Sequence, residues 1–103
     1  MPPQRSRVRG SRTGRPVMVL LDLLGRRTLL RILWELWVGG PMTFRALEKA
    51  AETNPSVLNK RLQELRHANL IRQAEAGYAL TDQGHALVQL LLPLNSWADE
   101  WAK

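Results

Sequence analysis

The segment spanning residues 44–84 constrains the fold most, because a short helix, a turn, an amphipathic helix and a hairpin follow one another within it. Asn54 is a favourable N-cap, and Pro55 suits the first position of a helix, where its missing N–H costs nothing. Apolar side chains then recur at the spacing of one helix face, at Val57, Leu58, Leu62 and Leu65. The pattern predicts an amphipathic helix over residues 55–67.

The opposite face of this helix carries side chains of the kind that read DNA. It consists of Ser56, Asn59, Lys60, Gln63 and His67. Asn, Gln, Ser and Lys hydrogen-bond to base edges and phosphates in a major groove. An ordinary amphipathic helix with a solvated face shows the same pattern, so this helix alone leaves both interpretations open, and the order of the flanking elements favours DNA.

The positive charge is concentrated at one end of the chain. Five arginines and no acidic residue lie in residues 1–16, whereas the remainder carries ten basic and nine acidic residues, out of a net charge of +6. Residues 54–74 carry a local charge of +3, and residues 75–102 carry −4. One face of the domain is therefore expected to suit a polyanion, and the C-terminal helix is not.

Composition excludes several classes of function. The chain contains no cysteine, which rules out disulfides, thiol redox sensing and cysteine-ligated metal sites. His67 and His85 have no cluster of further ligands at metal-binding spacing, and neither a catalytic nucleophile–base pair nor a phosphate-binding glycine loop is present. With no membrane-spanning apolar run and no apolar secretory region, we expect a cytoplasmic non-enzyme without cofactor, metal or membrane partner.

The chain is predicted to divide into a basic arm, residues 1–15, and one domain, residues 16–103. The arm is polar and broken by Pro and Gly, so disorder is expected. Its Gly14-Arg15-Pro16 resembles the core of the arginine hooks that lie in AT-rich minor grooves, although plain attraction to phosphates or solvation would suit it equally. The domain has room for one core, predicted around Leu33, Phe44, Leu58, Leu62 and Leu80.

Two helices are predicted before the DNA-reading segment, over residues 16–24 and 26–38, each ended by glycine. Met42 then suits a short extended segment, and Thr43 caps a helix over residues 44–51.

After the amphipathic helix, residues 70–74 and 78–80 are typical of two hairpin strands that turn at residues 75–77. Thr81 caps a long last helix, which Pro93 should kink or interrupt. These elements predict a mainly α fold with a small β-wing, a winged helix-turn-helix with additional N- and C-terminal helices.

Four motifs, in this order, resemble those of HxlR-type bacterial transcriptional regulators. They are LGRRTLLRIL at residues 24–33, the G-x-x-x-F-x-x-L pattern at 40–47, NPSVLNKRLQEL at 54–65 and YALTDQGHAL at 78–87. Two features depart from the family pattern: Arg27 stands where the family usually has Trp, and the wing is shorter, as in ArsR-like regulators, which are the second choice. The resemblance implies a homodimer, formed by the first and last helices, on a palindromic operator.

The resemblance and the polar face together predict the functional residues. Contacts to double-stranded DNA are expected from Asn54, Ser56, Asn59, Lys60, Arg61, Gln63 and Arg72. For Arg61 the alternatives are a phosphate contact or an ion pair with Glu64 or Glu48. The dimer interface is predicted at two apolar stripes, formed by Val17, Leu20, Leu21 and Leu24 on the first helix and by Leu90, Leu94, Trp97 and Trp101 on the last.

Two other functions suit the same sequence. A winged-helix module for protein–protein interaction is compatible with the near-neutral domain and its acidic last helix. A small-molecule-sensing regulator would need an aromatic pocket, for which the candidates are Trp34, Trp37, Trp97 and Trp101. Tryptophans at helical spacing also serve as core or dimer seam, so the effector stays an open alternative.

Overall fold

Residues 14–103 are described by the computed structural model, as five helices and one hairpin. In chain order the elements are α1 (Pro16–Leu24), α2 (Leu29–Gly39), α3 (Phe44–Ala50), α4 (Pro55–His67), β1 (Ile71–Ala74), β2 (Gly77–Leu80) and α5 (Asp82–Trp101). The predicted fold class, mainly α with a two-stranded wing, is confirmed. The predicted arm lies outside the described residues except for Gly14 and Arg15, and Arg15 serves as the N-cap of α1.

Three helices begin at the polar residues that the sequence predicted. The Thr43 hydroxyl accepts a hydrogen bond from the Ala46 N–H at 3.1 Å, and the Asn54 amide oxygen accepts one from the Val57 N–H at 2.9 Å. The Thr81 hydroxyl accepts one from the Gly84 N–H at 3.0 Å. Each cap satisfies a backbone donor that the first turn leaves unpaired, so these three helix starts are set locally.

The connection between α1 and α2 differs from the prediction, because α2 begins at Leu29 and not at Arg26. Residues 25–28, which we call the α1–α2 turn, separate the two helices. Thr28 adopts a left-handed backbone conformation, with φ 75°, which is incompatible with a continuous helix. The Arg26 N–H donates to the Leu23 carbonyl at 3.1 Å, so the turn folds back on the end of α1.

The wing is a tight hairpin in which Ile71 pairs with Leu80 and Ala74 with Gly77. Only two residues separate the strands, and Gly77 at the start of β2 has φ 136°. Leu70, predicted to open the first strand, instead donates its N–H to the Leu65 carbonyl at 2.9 Å and closes the end of α4.

A third chain segment pairs with the wing. The Met42 N–H donates to the Tyr78 carbonyl at 2.9 Å, and the Tyr78 N–H donates to the Met42 carbonyl at 2.7 Å. Met42 therefore occupies the short extended segment that the sequence predicted. This bridge joins the connection between α2 and α3 directly to β2.

The core is built mainly from leucines of α2, α3, α4 and the wing. Leu33, Leu58, Leu62 and Leu80 are buried as predicted, whereas Phe44 is only half-buried and packs against this cluster. Burial of these apolar side chains supplies the main driving force for folding.

Two predictions about the terminal helices are corrected. Leu24, assigned to an exposed stripe, is only 8% exposed and belongs to the core, and Leu20 is half-buried against it. Pro93 does not interrupt α5, which continues from Asp82 to Trp101, and the alternative of a kink at Pro93 stays a prediction. Proline removes one backbone donor, and since the α5 surface is exposed around it, water can satisfy the carbonyl that this leaves unpaired.

Candidate nucleic-acid interface

Four predicted DNA-contact residues lie together on one side of α4. They are Ser56, Asn59, Lys60 and Gln63, and all are exposed. The buried leucines occupy the opposite side of the helix. Within residues 14–103, none of these four side chains makes a hydrogen bond or ion pair with another protein group, so their polar groups are available to a ligand.

Asn54 and Arg72 lie beside this face in different roles. The Asn54 amide oxygen is engaged in capping α4, which makes its first role structural. Arg72 is exposed on β1, opposite Ala79 of β2. Lys60, Arg66 and Arg72 form no ion pair within the described part of the chain, and they supply the positive charge next to the α4 face.

Arg61 is turned away from the α4 face and is committed to protein partners. Its Nε donates to the Arg27 carbonyl at 2.8 Å, and its Nη1 donates to a Glu64 carboxylate oxygen at 2.6 Å. With only 15% of its side chain exposed, Arg61 takes the ion-pairing alternative with Glu64, and the predicted DNA contact by Arg61 is not supported. Arg61 pairs with protein groups because of its position, on the flank of α4 that packs against the α1–α2 turn.

Glu64 receives a second arginine, which no local pattern in the sequence predicts. Nη1 of Arg26 donates to its other carboxylate oxygen at 2.5 Å, and Nη2 of Arg26 donates to Asp22 at 3.1 Å. Partial burial raises the pKa of Glu64. Hydrogen bonds from Arg61 and Arg26, together with the charges of these arginines, lower it by more than burial raises it, so the pKa of Glu64 lies below its ordinary value. Glu64 is held ionised between two guanidinium groups.

The two predicted dimer stripes keep most of their members at the surface. Val17 and Leu21 on α1 are more than half exposed, and so are Leu90, Leu94, Trp97 and Trp101 on α5. The α2 helix adds exposed apolar side chains outside the two predicted stripes, at Leu30, Trp34 and Val38. Nine large apolar side chains are thus exposed within residues 14–103, and such side chains mark an interface where they form one patch.

The four tryptophans do not form one pocket. Trp37 is half-buried and packs edge-on against His85, with ring centroids 5.5 Å apart. Trp97 and Trp101 stack on each other at 5.9 Å on exposed α5. Trp34 alone of the four lines a groove of about 400 Å³ between α2 and α5. We call this groove the α2–α5 groove, and its other lining residues are Leu30, Arg31, Leu33, Val88, Leu91, Leu92, Leu94, Asn95 and Ala98.

Within residues 14–103, no group of His, Asp or Glu side chains is placed to hold a metal ion. In the same residues, no helix has both the length and the apolar character needed to cross a membrane.

The sequence profile of the HxlR-like helix-turn-helix family matches residues 23–103 of this chain. The chain belongs to the HxlR-like family. A curated relative is the uncharacterized HTH-type transcriptional regulator YvaP of Bacillus subtilis, strain 168, which is 30% identical over 89 residues, covering 79% of this chain and 82% of the relative. The crystal structure of quinone-bound YodB from B. subtilis is similar in fold, with a TM-score of 0.75 and 27% identity, covering 82% of this chain and 96% of YodB.

Family membership confirms the resemblance that the four motifs predicted and makes the HxlR-like assignment stand over the ArsR-like second choice. It identifies the chain as a DNA-binding helix-turn-helix transcriptional regulator. Relatives of this kind are regulators and not enzymes, which agrees with the absence of a catalytic constellation in the sequence. In the winged-helix arrangement, α3 and α4 are the two helices of the helix-turn-helix, and α4 is the recognition helix.

Proposed function

We propose that this HxlR-like protein binds a palindromic operator as a homodimer and places α4 of each protomer in the major groove. The observation that carries this proposal is the polar face of α4, whose amide, hydroxyl and ammonium groups have no protein partner within residues 14–103, on a helix whose other side is fixed in the core. Side chains of these types supply both base and phosphate contacts.

Charge supports this orientation on DNA. Because Arg61 is paired with Glu64, the cations of α4 and the wing that form no ion pair within residues 14–103 are Lys60, Arg66 and Arg72. The acidic residues Asp99 and Glu100 lie at the far end of α5, where they would be repelled if α5 faced the phosphates. The protein is therefore expected to approach DNA with α4 and the wing, leaving the end of α5 away from it.

Homodimerisation is supported by the exposed apolar side chains of α1 and α5. A domain of this size has one core, and that core leaves Val17, Leu21, Leu90 and Leu94 uncovered. A twofold pairing buries the same patch on both protomers. It also sets two recognition helices roughly 34 Å apart, one turn of DNA, and so demands a palindromic site.

Replacing Asn59, Lys60 and Gln63 with alanine is expected to abolish sequence preference while leaving the fold intact. None of the three side chains contributes to the core, so the melting temperature should stay within a few degrees of wild type. Specific affinity should fall by about 1–3 kcal/mol for each good base-reading side chain that is removed. Gel-shift titration against duplexes selected from a random library measures the decrease, with Gln89→Ala/Ser96→Ala on α5 as a surface control.

The same titration, repeated on a generic duplex over a series of salt concentrations, tests the alternative of a protein–protein interaction module. A DNA-binding protein binds any duplex weakly and loses that binding steeply with added salt, because binding releases counterions. Wild-type affinity retained by the triple variant would remove α4 from the proposed interface. A wild-type protein with no salt-sensitive duplex binding would favour the interaction module.

A small-molecule effector is a second candidate function, favoured by the α2–α5 groove. Its volume of about 400 Å³ lies within the range of small-ligand sites, and its lining combines apolar side chains with a few polar groups, as such sites do. The relative YodB is described as quinone-bound. Because this chain contains no cysteine for a quinone to add to, we propose non-covalent binding of a planar quinone ring against Trp34.

Tetramethyl-1,4-benzoquinone, whose ring has no open position for addition, is a suitable probe of the α2–α5 groove. Isothermal titration calorimetry should show saturable binding to wild type and to Trp101→Ala, whose side chain does not line the groove. Trp34→Ala removes the aromatic wall and should lose that binding. Equal binding by both variants, or none by wild type, would reject the groove as a quinone site.

A further inference from the structure

The α1–α2 turn is fastened to the recognition helix by charged side chains. Arg26 in the turn reaches Asp22 on α1 with one guanidinium nitrogen and Glu64 on α4 with another. A second contact runs from α4 to the turn, where Arg61 donates a hydrogen bond to the Arg27 carbonyl. The Arg26–Glu64 and Arg61–Arg27 contacts join residues 38 and 34 positions apart in the chain. They therefore connect separate elements and are not contacts within one helix.

The arrangement is more constrained than an ordinary surface ion pair. Both oxygens of Glu64 are engaged, one by Arg26 and the other by Arg61. The side chains of Glu64 and Asp22 are only 19% and 13% exposed, so water competes poorly for their carboxylates. A planar guanidinium that spans two carboxylates fixes an orientation as well as a distance, which a lysine ammonium does not.

The elements joined in this way have their main packing partners elsewhere. The α1 helix packs on α2, while α4 packs on α3 and on β1. The angle between α1 and α4 is thus set mainly through intermediate helices, and the contacts of Arg26 and Arg61 across the α1–α2 turn add a direct connection. In the proposed dimer, α1 forms part of the seam and α4 enters the groove, so this angle determines the separation of the two α4 helices.

We propose that Arg26 is a positioning residue that couples the dimer seam to DNA reading, by holding α4 at a fixed angle to α1 through Asp22 and Glu64. This inference rests on the proposed dimeric DNA binding and adds to it the device that sets half-site spacing. Loosening the bridge leaves each base-contacting side chain intact but lets the two recognition helices vary in separation. The protein would then lose its preference for one spacing of the operator halves, not its affinity for a single half.

Arg27→Gln is the matched control for Arg26→Gln. Both variants remove one positive charge from the same turn, but the Arg27 side chain makes no hydrogen bond within residues 14–103, and only its backbone carbonyl takes part in the network. Any effect of net charge on DNA binding is therefore shared by the two variants. Circular dichroism melts confirm that both remain folded.

The first measurement uses the protein without DNA. Since the chain has no cysteine, Gln63→Cys gives each protomer one spin-label site on α4. Pulsed electron–electron double resonance then reports the label-to-label distance in the dimer. Arg26→Gln should broaden and displace the distance distribution of the labelled parent, and Arg27→Gln should reproduce the parent. Identical distributions for the two variants overturn the proposal.

The second measurement uses the best duplex selected from a random library, with its halves at the selected spacing and with one or two base pairs inserted, together with a single half-site. Arg26→Gln should lower the ratio of affinities for selected and altered spacing by about fivefold or more, the lower end of coupling between sites, with half-site affinity equal to that of Arg27→Gln. An unchanged ratio overturns the coupling while leaving DNA binding in place. A labelled parent with no label-to-label distance, or a wild type that binds no duplex, overturns the proposed function itself.

Discussion

Replacing Leu94 and Trp97 with glutamate is expected to produce a folded monomer that has lost most of its operator affinity. Both side chains are more than half exposed in the protomer, Trp97 at 60%, so two charges there do not enter the core. In a twofold seam the same charges meet their own copies across an apolar surface, where desolvation and repulsion both oppose pairing. Dimerisation should therefore fail before folding does.

The loss of operator affinity follows from the loss of linkage between two half-sites. In a dimer the second α4 binds at the high effective concentration that the first provides, which raises overall affinity by about 10² to 10⁴ over a single module. A monomer keeps only half-site binding. Static light scattering gives the mass, circular dichroism the fold, and gel-shift titration on the selected duplex the affinity.

A matched control places the same two charges elsewhere on α5. Gln89→Glu/Ser96→Glu introduces two glutamates at exposed positions outside the predicted seam, so it separates the effect of added negative charge from the effect of location. The control should remain dimeric and lose less affinity. A wild-type protein that is monomeric at micromolar concentration, or a Leu94→Glu/Trp97→Glu variant that still dimerises, would eliminate this seam.

Gly84→Ala is expected to destabilise the fold strongly, although alanine is normally the better helix former. Gly84 is buried in the first turn of α5, and a Cβ there would collide with the Leu70 carbonyl oxygen and lie 3.2 Å from Cδ2 of Leu80. The Leu70 carbonyl cannot easily withdraw, since it accepts the Thr81 N–H at 3.1 Å. The added methyl thus forces backbone against backbone.

The expected size follows from two opposing effects. Alanine gains at most about 1 kcal/mol over glycine, a value for helix interiors that is an upper limit in the first turn, whereas overpacking costs about 1–3 kcal/mol, and more when two backbone segments collide. The net loss of about 2 kcal/mol corresponds to a melting temperature lower by roughly 10 °C for a domain of this size. Thermal melts followed by circular dichroism measure it.

Gly39→Ala is the corresponding control at the end of α2. A Cβ at Gly39 would meet only the Met42 sulfur at 3.6 Å, an ordinary contact. The control should therefore be neutral or slightly stabilising. Equal stability of the Gly84 and Gly39 variants would contradict the close approach of α5 to Leu70.

The local signals in the sequence predicted local structure well. Thr43, Asn54 and Thr81 each cap a helix because the group that a cap satisfies lies three residues away. Helical spacing likewise predicted the buried side of α4. Helical spacing did not predict the burial of Leu24, because periodicity tells which residues share a face and not which neighbour covers that face.

Contacts between distant segments account for what the sequence did not predict. The i,i+3 spacing made Glu64 a candidate partner for Arg61, but nothing in the order of residues connects Arg26 with Glu64, 38 positions later. The late start of α2 has the same origin, since the α1–α2 turn is held by these tertiary contacts. The base contacts expected from Ser56, Asn59, Lys60 and Gln63 stay predictions, supported by the exposure of these four side chains.

The bridge between Met42 and Tyr78 has a consequence for how the protein yields under perturbation. A hairpin as short as β1–β2 is marginally stable in isolation, but two backbone hydrogen bonds fasten it to the segment that leads from α2 into α3. We therefore expect the wing and the helix-turn-helix to open together, as one cooperative unit. Disordering the wing then costs the free energy of breaking its hydrogen bonds to the segment before α3. A distortion of the wing is expected to shift the start of α3, and a distortion there to shift the wing.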